Sequence, residues 1–314
     1  VMPFGLTNAP ATFQSLMNTV FRPYLRKFIL VFFDDILVFS PTWSDHIKHL
    51  RITLEILRQH SLKVKQSKCF FAQTQVAYLG HVVSGQGVQT DPQKVQAIQQ
   101  WLVPSTLKGL RGFLGLAGYY RRFIKDFRKL TKPLTELLKK NNFTRTDQAT
   151  EAFSRLKLVM SCPPVLALPD FSQTFEVETD ASSEVIGAVL FQKGRPLAYF
   201  SQGLATKHRG LSVYEKEMLA IVSAVQKWRP YLLGRHFIIR TDHQSLKYLI
   251  EQRVSTPMQQ KWVAKLMGYD YKLQYRKGVD NVVADALYRQ PNLDAATLAP
   301  IPVIKSALLT EIHN

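Results

Sequence analysis

The chain has 314 residues, of which 46% are hydrophobic, and its 41 lysines and arginines against 23 acidic residues give a formal net charge of +18. This hydrophobic content is enough for sizeable cores, and so large a basic excess indicates a polyanionic partner. Two cysteines are too few for a disulfide scaffold or a cysteine-based zinc site, and no run of 18 apolar residues predicts a membrane helix. We therefore expect a folded protein of a reducing compartment with no membrane partner.

The first region, residues 1 to about 85, predicts a helix, a hairpin, a second helix and a strand. A helix opens near Asn8 and Pro10, and an amphipathic helix covers about 44–60. The segment AYLGHVVS is predicted as one short strand.

Two adjacent acids, Asp34 and Asp35, interrupt the apolar run RKFILVFFDDILVFS. An acidic pair at a hairpin turn is common, so a surface turn is the simpler interpretation. The flanking residues are unusually apolar for such a turn, which keeps a functional role open.

The second region, residues 86–147, is predicted to be helical, with breakers at Pro104, Gly109, Gly112, Gly115 and Gly118. Between residues 105 and 140 there are ten lysines or arginines and two acids, interleaved with Phe113, Tyr119, Tyr120, Phe123 and Phe127. Basic residues with aromatics suit a phosphate backbone and stacked bases. An aromatic core beneath a solvated basic face is an equally good interpretation of the aromatics.

Residues 148–172 predict a helix followed by a proline-rich connector, and residues 173–290 predict the order β-β-β-α-β-α, then helix, strand and helix. Ser212 and Glu215 form a capping box at the start of one helix. The alternation in YDYKLQYR predicts a half-buried strand, and we expect residues 291–314 to form a loosely attached tail.

Four carboxylates stand where the local pattern calls for an apolar or neutral residue. Asp180 ends the strand FEVETD and Asp242 ends FIIRTD, at the strand tips where open α/β sheets bind ligands. Glu217 shares a helical stripe with Ile221, Ala224, Val225 and Trp228. Asp285 falls in the first turns of the short helix VVADALYR.

Such acids, if brought together, require a counter-charge. Two carboxylates about 4 Å apart repel by roughly 4 kcal/mol at an effective dielectric near 20. Mg²⁺ prefers oxygen ligands, and a pair of ions can drive an in-line phosphoryl displacement. A metal cluster here would imply phosphodiester hydrolysis, although from spacing alone four surface charges are the simpler interpretation.

Eight motifs in order resemble one family. VMPFGLTNAPATFQ, VFFDDILVFS, YLGHVVSGQGV and RGFLGLAGYYRRFI resemble the reverse transcriptase of gypsy-type long-terminal-repeat retrotransposons. ETDASSEVIGAVLFQ, YEKEMLAIVSAV, RTDHQSLKYL and DNVVADALYR resemble the RNase H domain that follows it in the Pol polyprotein. The resemblance implies an α/β (α+β) chain: a truncated polymerase palm (1–85), a helical thumb (86–147), a connector (148–172) and an RNase H-like mixed five-stranded sheet with flanking helices (173–290).

The resemblance also implies roles for residues of the palm and thumb. Asp34 and Asp35 match the metal-binding Y-x-D-D box, with Phe32 in place of the usual tyrosine. The other matched positions are Phe4 and Gly5 beside the incoming nucleotide, Asn8, Pro10 and Gln14 along the template, Leu79 and Gly80 at the primer grip, and the basic thumb residues Arg111, Arg121 and Arg122.

The family's third polymerase carboxylate precedes MPFGL, and the sequence given begins at Val1. We therefore expect the polymerase site to be incomplete as supplied, without DNA synthesis by this polypeptide alone. A second copy of the chain or the missing Pol segments are the partners that would complete it.

For the RNase H domain, the resemblance implies that Asp180, Glu217, Asp242 and Asp285 bind two Mg²⁺ ions, for which Mn²⁺ can substitute. They would cut the RNA strand of an RNA/DNA hybrid, and a template-primer duplex would occupy the palm and thumb. The resemblance also suggests assembly in cytoplasmic particles followed by nuclear entry, a route that a fragment need not follow.

Two further functions stay open at this point. One is a catalytically inactive, domesticated fragment that binds nucleic acid without turnover. The other is a nuclease of the same superfamily that cuts duplex DNA. Both would keep the basic charge. The first would cut no duplex, whereas the second would cut duplex DNA.

Overall fold

The computed structural model describes residues 8–140, 142–243, 246 and 256–276. They form ten helices and ten strands in three separate sheets within the described ranges. Over the same residues, no helix combines the length and the apolar character needed to cross a bilayer.

The first assembly is a hairpin between two helices. Its elements are α1 (Ala9–Val20), β1 (Ile29–Phe32), β2 (Asp35–Val38) and α2 (Trp43–Gln59). The side chain of Thr42 caps α2 by accepting from the backbone N–H of Asp45, which confirms the second predicted helix to within one residue. Met17, Phe21 and Ile29 lie in the core that joins α1 to the hairpin.

The second assembly is a three-stranded antiparallel sheet of β3 (Gln75–Tyr78), β4 (His81–Ser84) and β5 (Gly87–Thr90). The prediction of a single strand here was wrong. Leu79 and Gly80 have φ of +48° and +67°, and this left-handed pair reverses the chain inside the apolar run. A continuous apolar pattern conceals such a turn.

The next helices are α3 (Pro92–Gln99), α4 (Leu107–Tyr119) and α5 (Phe127–Glu136). The glycines expected to break this region instead lie inside α4. At Gly112 an added Cβ would stand 3.4 Å from the Trp101 ring, so the missing side chain lets the tryptophan approach the helix. Packing has overridden the low helix propensity of glycine.

The aromatic residues of this region are mainly core. Phe113, Tyr120 and Phe123 are at most 1% exposed, whereas Tyr119 is 53% exposed. Of the two open interpretations, an aromatic core beneath a basic face describes Phe113, Tyr120 and Phe123. Of the four rings, that of Tyr119 is the one exposed to solvent.

The third assembly begins with α6 (Asp147–Ser161) and continues into the largest sheet. Its elements are β6 (Phe175–Ala181), β7 (Val185–Gln192), β8 (Arg195–Gly203), α7 (Thr206–Arg209), α8 (Val213–Lys227), α9 (Arg229–Leu232), β9 (His236–Thr241), α10 (Pro257–Leu266) and β10 (Asp270–Tyr275). The capping box of Ser212 and Glu215 at the start of α8 is confirmed.

The large sheet has the strand order β10-β9-β6-β7-β8. The β6–β7 and β7–β8 pairs are antiparallel, whereas β9 runs parallel to both β6 and β10. Phe175, Val177, Phe237 and Ile239 pack with the apolar face of α8 in one core. The predicted mixed five-stranded sheet with flanking helices is confirmed.

Helix α6 offers a matched test of core packing. Leu156 is fully buried where α6 packs against α3 and α5, and Leu158, two residues on, is 69% exposed. We expect Leu156→Ala to lower the free energy of unfolding by about 2–5 kcal/mol, because it leaves a cavity. Leu158→Ala should change it by no more than about 0.5 kcal/mol. Urea denaturation of both variants checks this, and equal losses would contradict the assigned helix face.

Candidate functional site

The pairing of β6 with β9 brings two of the predicted acids together. Glu178 is in register with Arg240, and the chains run parallel. Asp180 and Asp242 each lie two residues further on, so both stand at the same end of neighbouring strands. This is the carboxyl end of the parallel pair, where open α/β sheets bind ligands.

Glu217 joins them from α8. It is 2% exposed, and its Oε1 accepts a hydrogen bond of 2.9 Å from the backbone N–H of Ala181, the residue after Asp180. Its Oε2 is buried without a hydrogen-bond partner in the described part of the chain. A buried carboxylate oxygen in this state is costly unless a cation or proton balances it.

The three acids are close enough for their charges to act on one another. Burial, together with the charges of Asp242 and Asp180, raises the pKa of Glu217 to about 8, against lowering by the Ala181 N–H. Burial also raises the pKa of Asp180, with contributions from Asp242 and Asp126, against lowering by Lys125 and the Ala181 N–H. The acids repel one another, so the site favours positive charge.

The oxygens of these carboxylates suit a hard divalent ion, and one of them, Glu217 Oε2, has no hydrogen-bond partner among the described residues. Within the described ranges, however, no three acidic, histidine or cysteine side chains are positioned to hold a metal ion. The fourth predicted acid, Asp285, lies outside those ranges.

The other acids of β6 are held differently. Glu176 pairs with Arg240 at 2.6 Å, and the buried Glu178 pairs with Arg276 at 3.3 Å. Their charges are compensated by arginines within the sheet. Compensation by arginine therefore separates them from Asp180, Asp242 and Glu217.

The loop before α5 reaches this site, which the sequence did not predict. An added Cβ on Gly187, the β7 partner of Asp180, would stand 3.7 Å from Asp126 Oδ1. Helix α5 is anchored there by the Arg128 N–H, which donates to Ser201 Oγ at 2.9 Å. Only tertiary packing brings Asp126 to Asp180, so no local sequence pattern could have revealed it.

The other acidic pair lies at the tip of the β1–β2 hairpin. Asp34 and Asp35 are both exposed, and Asp35 pairs with Phe32. Gln14 supports this turn: its Oε1 accepts from the Phe33 N–H at 2.6 Å, and its Nε2 donates to the Val31 carbonyl at 3.4 Å. Gln14 therefore holds the hairpin that presents the acids.

The Leu79–Gly80 turn is tied to the end of α4. The hydroxyl of Tyr119 donates to the Leu79 carbonyl and that of Tyr120 to the Gly80 carbonyl, both at 2.7 Å. The ring of His81 stacks on Tyr119 with the centroids 5.4 Å apart. Two tyrosines thus fix both carbonyls of the turn.

This turn also lies near the hairpin tip. Burial raises the pKa of Tyr78, and the charge of Asp35 adds to the shift. A cavity of about 690 Å³ lies between α1, β1 and the turn, and Arg22 and Arg26 are among its lining residues. Asp34 and Asp35 do not join the acids of the large sheet in one cluster in the described part of the chain.

The remaining predicted positions are mostly on the surface. Asn8, Pro10, Arg111 and Arg121 are exposed. The Arg122 guanidinium lies 5.4 Å from the centre of the Phe123 ring. Phe4 and Gly5 lie outside the described residues.

Two family models match the chain. Residues 170–269 match "RNase H-like domain found in reverse transcriptase", and residues 1–83 match "Reverse transcriptase (RNA-dependent DNA polymerase)". The class of protein is therefore a reverse-transcriptase segment joined to an RNase H-like domain.

Among curated proteins, the chain is 42% identical over 290 residues to the retrovirus-related Pol polyprotein from transposon 297 of Drosophila melanogaster, covering 92% of the chain and 27% of that protein. It is 38% identical to the Pol polyprotein from transposon gypsy of the same organism, covering 95% and 31%. It is also 36% identical to the transposon Tf2-3 polyprotein of Schizosaccharomyces pombe, covering 92% and 22%. The chain spans less than a third of each relative, and it belongs to the reverse transcriptase/RNase H part of the Pol polyproteins of gypsy-type long-terminal-repeat retrotransposons.

Solved structures share the fold. The foamy viral protease-reverse transcriptase dRH in complex with double-stranded DNA superposes with a TM-score of 0.79 at 24% identity, covering 88% of this chain and 50% of that one. The foamy viral protease-reverse transcriptase in complex with an RNA/DNA hybrid gives 0.76 at 23%, covering 97% and 41%.

The buried acid predicts how metal affects stability. Because the pKa of Glu217 is raised in the folded state, its carboxyl binds a proton more tightly there than in the unfolded chain. The free energy of unfolding of the metal-free chain therefore falls as the pH rises from 4.5 towards 8. At pH 7 the cost is roughly 3 kcal/mol. In EDTA, Glu217→Gln should be more stable than the wild type at pH 7 and about equal to it at pH 4.

Mg²⁺ should stabilise the wild type and have a smaller effect on Glu217→Gln, whose amide oxygen can still accept the Ala181 N–H. Thermal melts at both pH values, with EDTA or Mg²⁺, check this. Destabilisation by Glu217→Gln in EDTA at pH 7 would contradict it.

Proposed function

We propose that the RNase H-like domain hydrolyses the RNA strand of RNA/DNA hybrids, with Asp180, Glu217, Asp242 and Asp285 as metal ligands. The observation that carries the proposal is the buried carboxylate of Glu217, with an orphaned oxygen, beside two acids at adjacent strand tips. Divalent ions would supply positive charge, a water of lowered pKa and stabilisation of the leaving oxygen.

The residues of the chain divide the work. Glu217 is fixed by the Ala181 N–H, so its free oxygen has a defined direction. Asp180 and Asp242 keep solvent-accessible side chains at the strand tips, although Asp180 is partly desolvated, and both can therefore meet ions and substrate. Discrimination of RNA from DNA requires contacts to the 2′-hydroxyl.

The palm-like and thumb-like parts would hold the duplex. The excess of basic residues over residues 105–140 suits a phosphate backbone, and Arg111 and Arg121 are exposed there. Asp34 and Asp35, at the hairpin tip near the Leu79–Gly80 turn, are the proposed polymerase metal ligands. Foamy viral neighbours of the same fold are complexes with double-stranded DNA or an RNA/DNA hybrid, which supports nucleic acid as the partner.

A second candidate is a nucleic-acid-binding fragment without turnover. It is favoured by one observation: over the described ranges, no three side chains are arranged to hold a metal ion. Both candidates predict binding of hybrids, so only cleavage separates them.

The decisive test is cleavage of a labelled RNA/DNA hybrid with Mg²⁺. Asp180→Asn should lower the rate by more than about 100-fold, since even residues behind the metal ligands change activity 10–100-fold. Asp270→Asn is the matched control, because Asp270 pairs with His236 at the opposite end of β9 and β10. Binding without cleavage by the wild type would support the second candidate, and cutting of duplex DNA would indicate a nuclease of different specificity.

The basic face predicts the salt dependence of binding. Arg111→Ala should weaken hybrid binding and reduce the slope of log K against log salt by about 1, because one phosphate contact is lost. Arg58→Ala on α2, where Arg58 pairs with Glu55 at 2.7 Å, removes equal charge outside this face and should leave the slope unchanged. Fluorescence anisotropy over a salt series measures the affinity and the slope for each variant. Equal slopes for the two variants would show that Arg111 on α4 does not contact the duplex.

A further inference from the structure

The β4–β5 turn docks directly onto the third assembly. The Val88 N–H donates to the Leu166 carbonyl at 2.8 Å, and the Leu166 N–H donates to the Val88 carbonyl at 3.0 Å. Arg195, at the start of β8, donates from Nη2 to the Gln86 carbonyl at 2.5 Å. We call these contacts, Gln86 and Val88 with Leu166 and Arg195, the docking seam.

Gly87 is the residue that allows this approach. Its φ is +142°, a conformation that other residues rarely adopt. An added Cβ would overlap the carbonyl oxygen of Leu166 and stand 3.1 Å from the Val165 side chain. Leu166 is fully buried, so it has little freedom to move away.

Gly85, in the same turn, is different. It has no atom within 4 Å of an added Cβ and no positive φ. The chain thus contains two glycines two residues apart, of which one is required by the seam and the other is not.

The opposite end of the same sheet carries the Leu79–Gly80 turn, the proposed contact with a primer strand. Strand β4 runs from that turn to the seam in four residues, a distance of roughly 10–13 Å. Tyr119 and Tyr120 hold the turn at one end, and Leu166 and Arg195 hold the sheet at the other.

We propose that Gly87 is a positioning residue: the docking seam that it permits holds the Leu79–Gly80 turn at a set separation from the RNase H-like domain, so that one duplex engages both. This rests on the proposed function, because it takes both regions to contact nucleic acid. Once one region has bound a long duplex, the second region meets the same duplex at a high effective concentration, provided that the two regions are held in a fixed relation. A loose connection between the regions lowers that effective concentration.

The test compares the full chain with Gly87→Ala, Gly85→Ala and Arg195→Ala. Anisotropy in EDTA gives dissociation constants for RNA/DNA hybrids of about 10 and about 24 base pairs, of which only the longer can reach both regions. Hydrogen exchange at the Val88 and Leu166 amides reports whether the seam is closed, and thermal melts report folding.

We expect Gly87→Ala to speed exchange at both amides, to weaken binding of the long hybrid about tenfold and to leave binding of the short hybrid within about twofold. Gly85→Ala should match the wild type. Arg195→Ala, which introduces no backbone strain, should weaken only the long hybrid, by about threefold.

Three outcomes would overturn the proposal: an open seam with an unchanged advantage of the long hybrid, a seam unaffected by Gly87→Ala, or no length advantage in the wild type. Cleavage is not needed for any of these measurements. A chain that binds hybrids with the expected length dependence but never cuts them would retain the positioning role and lose the nuclease assignment.

Discussion

The parallel pairing of β6 with β9 is the constraint on which the candidate site depends. Two strands and three helices lie between them in the chain, and their register sets Asp180 beside Asp242. Helix α8 packs on the same sheet, and its buried stripe then determines where Glu217 points. A shift of one residue in this register would turn alternate side chains to the opposite face and disperse the acids.

The three acids also show how groups suited to bind a cation oppose folding in its absence. The buried carboxylate of Glu217 is repelled by Asp180 and Asp242, which destabilises the metal-free chain. The apolar core of the large sheet must offset this loss of stability. Glu176 and Glu178 show the alternative, in which arginines neutralise acids on the same strand. A chain selected for stability alone would have treated all the acids in this way.

Much of this architecture was predictable because local patterns agree with tertiary structure in the large sheet. Local pattern alone predicted the half-buried strand YDYKLQYR, the helix start at Ser212 and the buried helix face that contains Glu217. Prediction failed where the backbone or long-range packing decides. The reversal at Leu79–Gly80 depends on left-handed dihedrals inside an apolar run, and the approach of Asp126 to Asp180 depends on how α5 meets β8. The site assignments themselves stay predictions, since Asp285, Phe4 and Gly5 lie outside the described residues.

The glycines of α4 have a consequence for how this helix is stabilised. Gly109, Gly112, Gly115 and Gly118 each lower helix propensity by about 1 kcal/mol relative to alanine, so the isolated segment has little tendency to be helical. Contacts of Phe113 with Trp101 and Phe153 supply what the backbone lacks. Helix α4 therefore owes its stability to packing against its neighbours rather than to its own sequence.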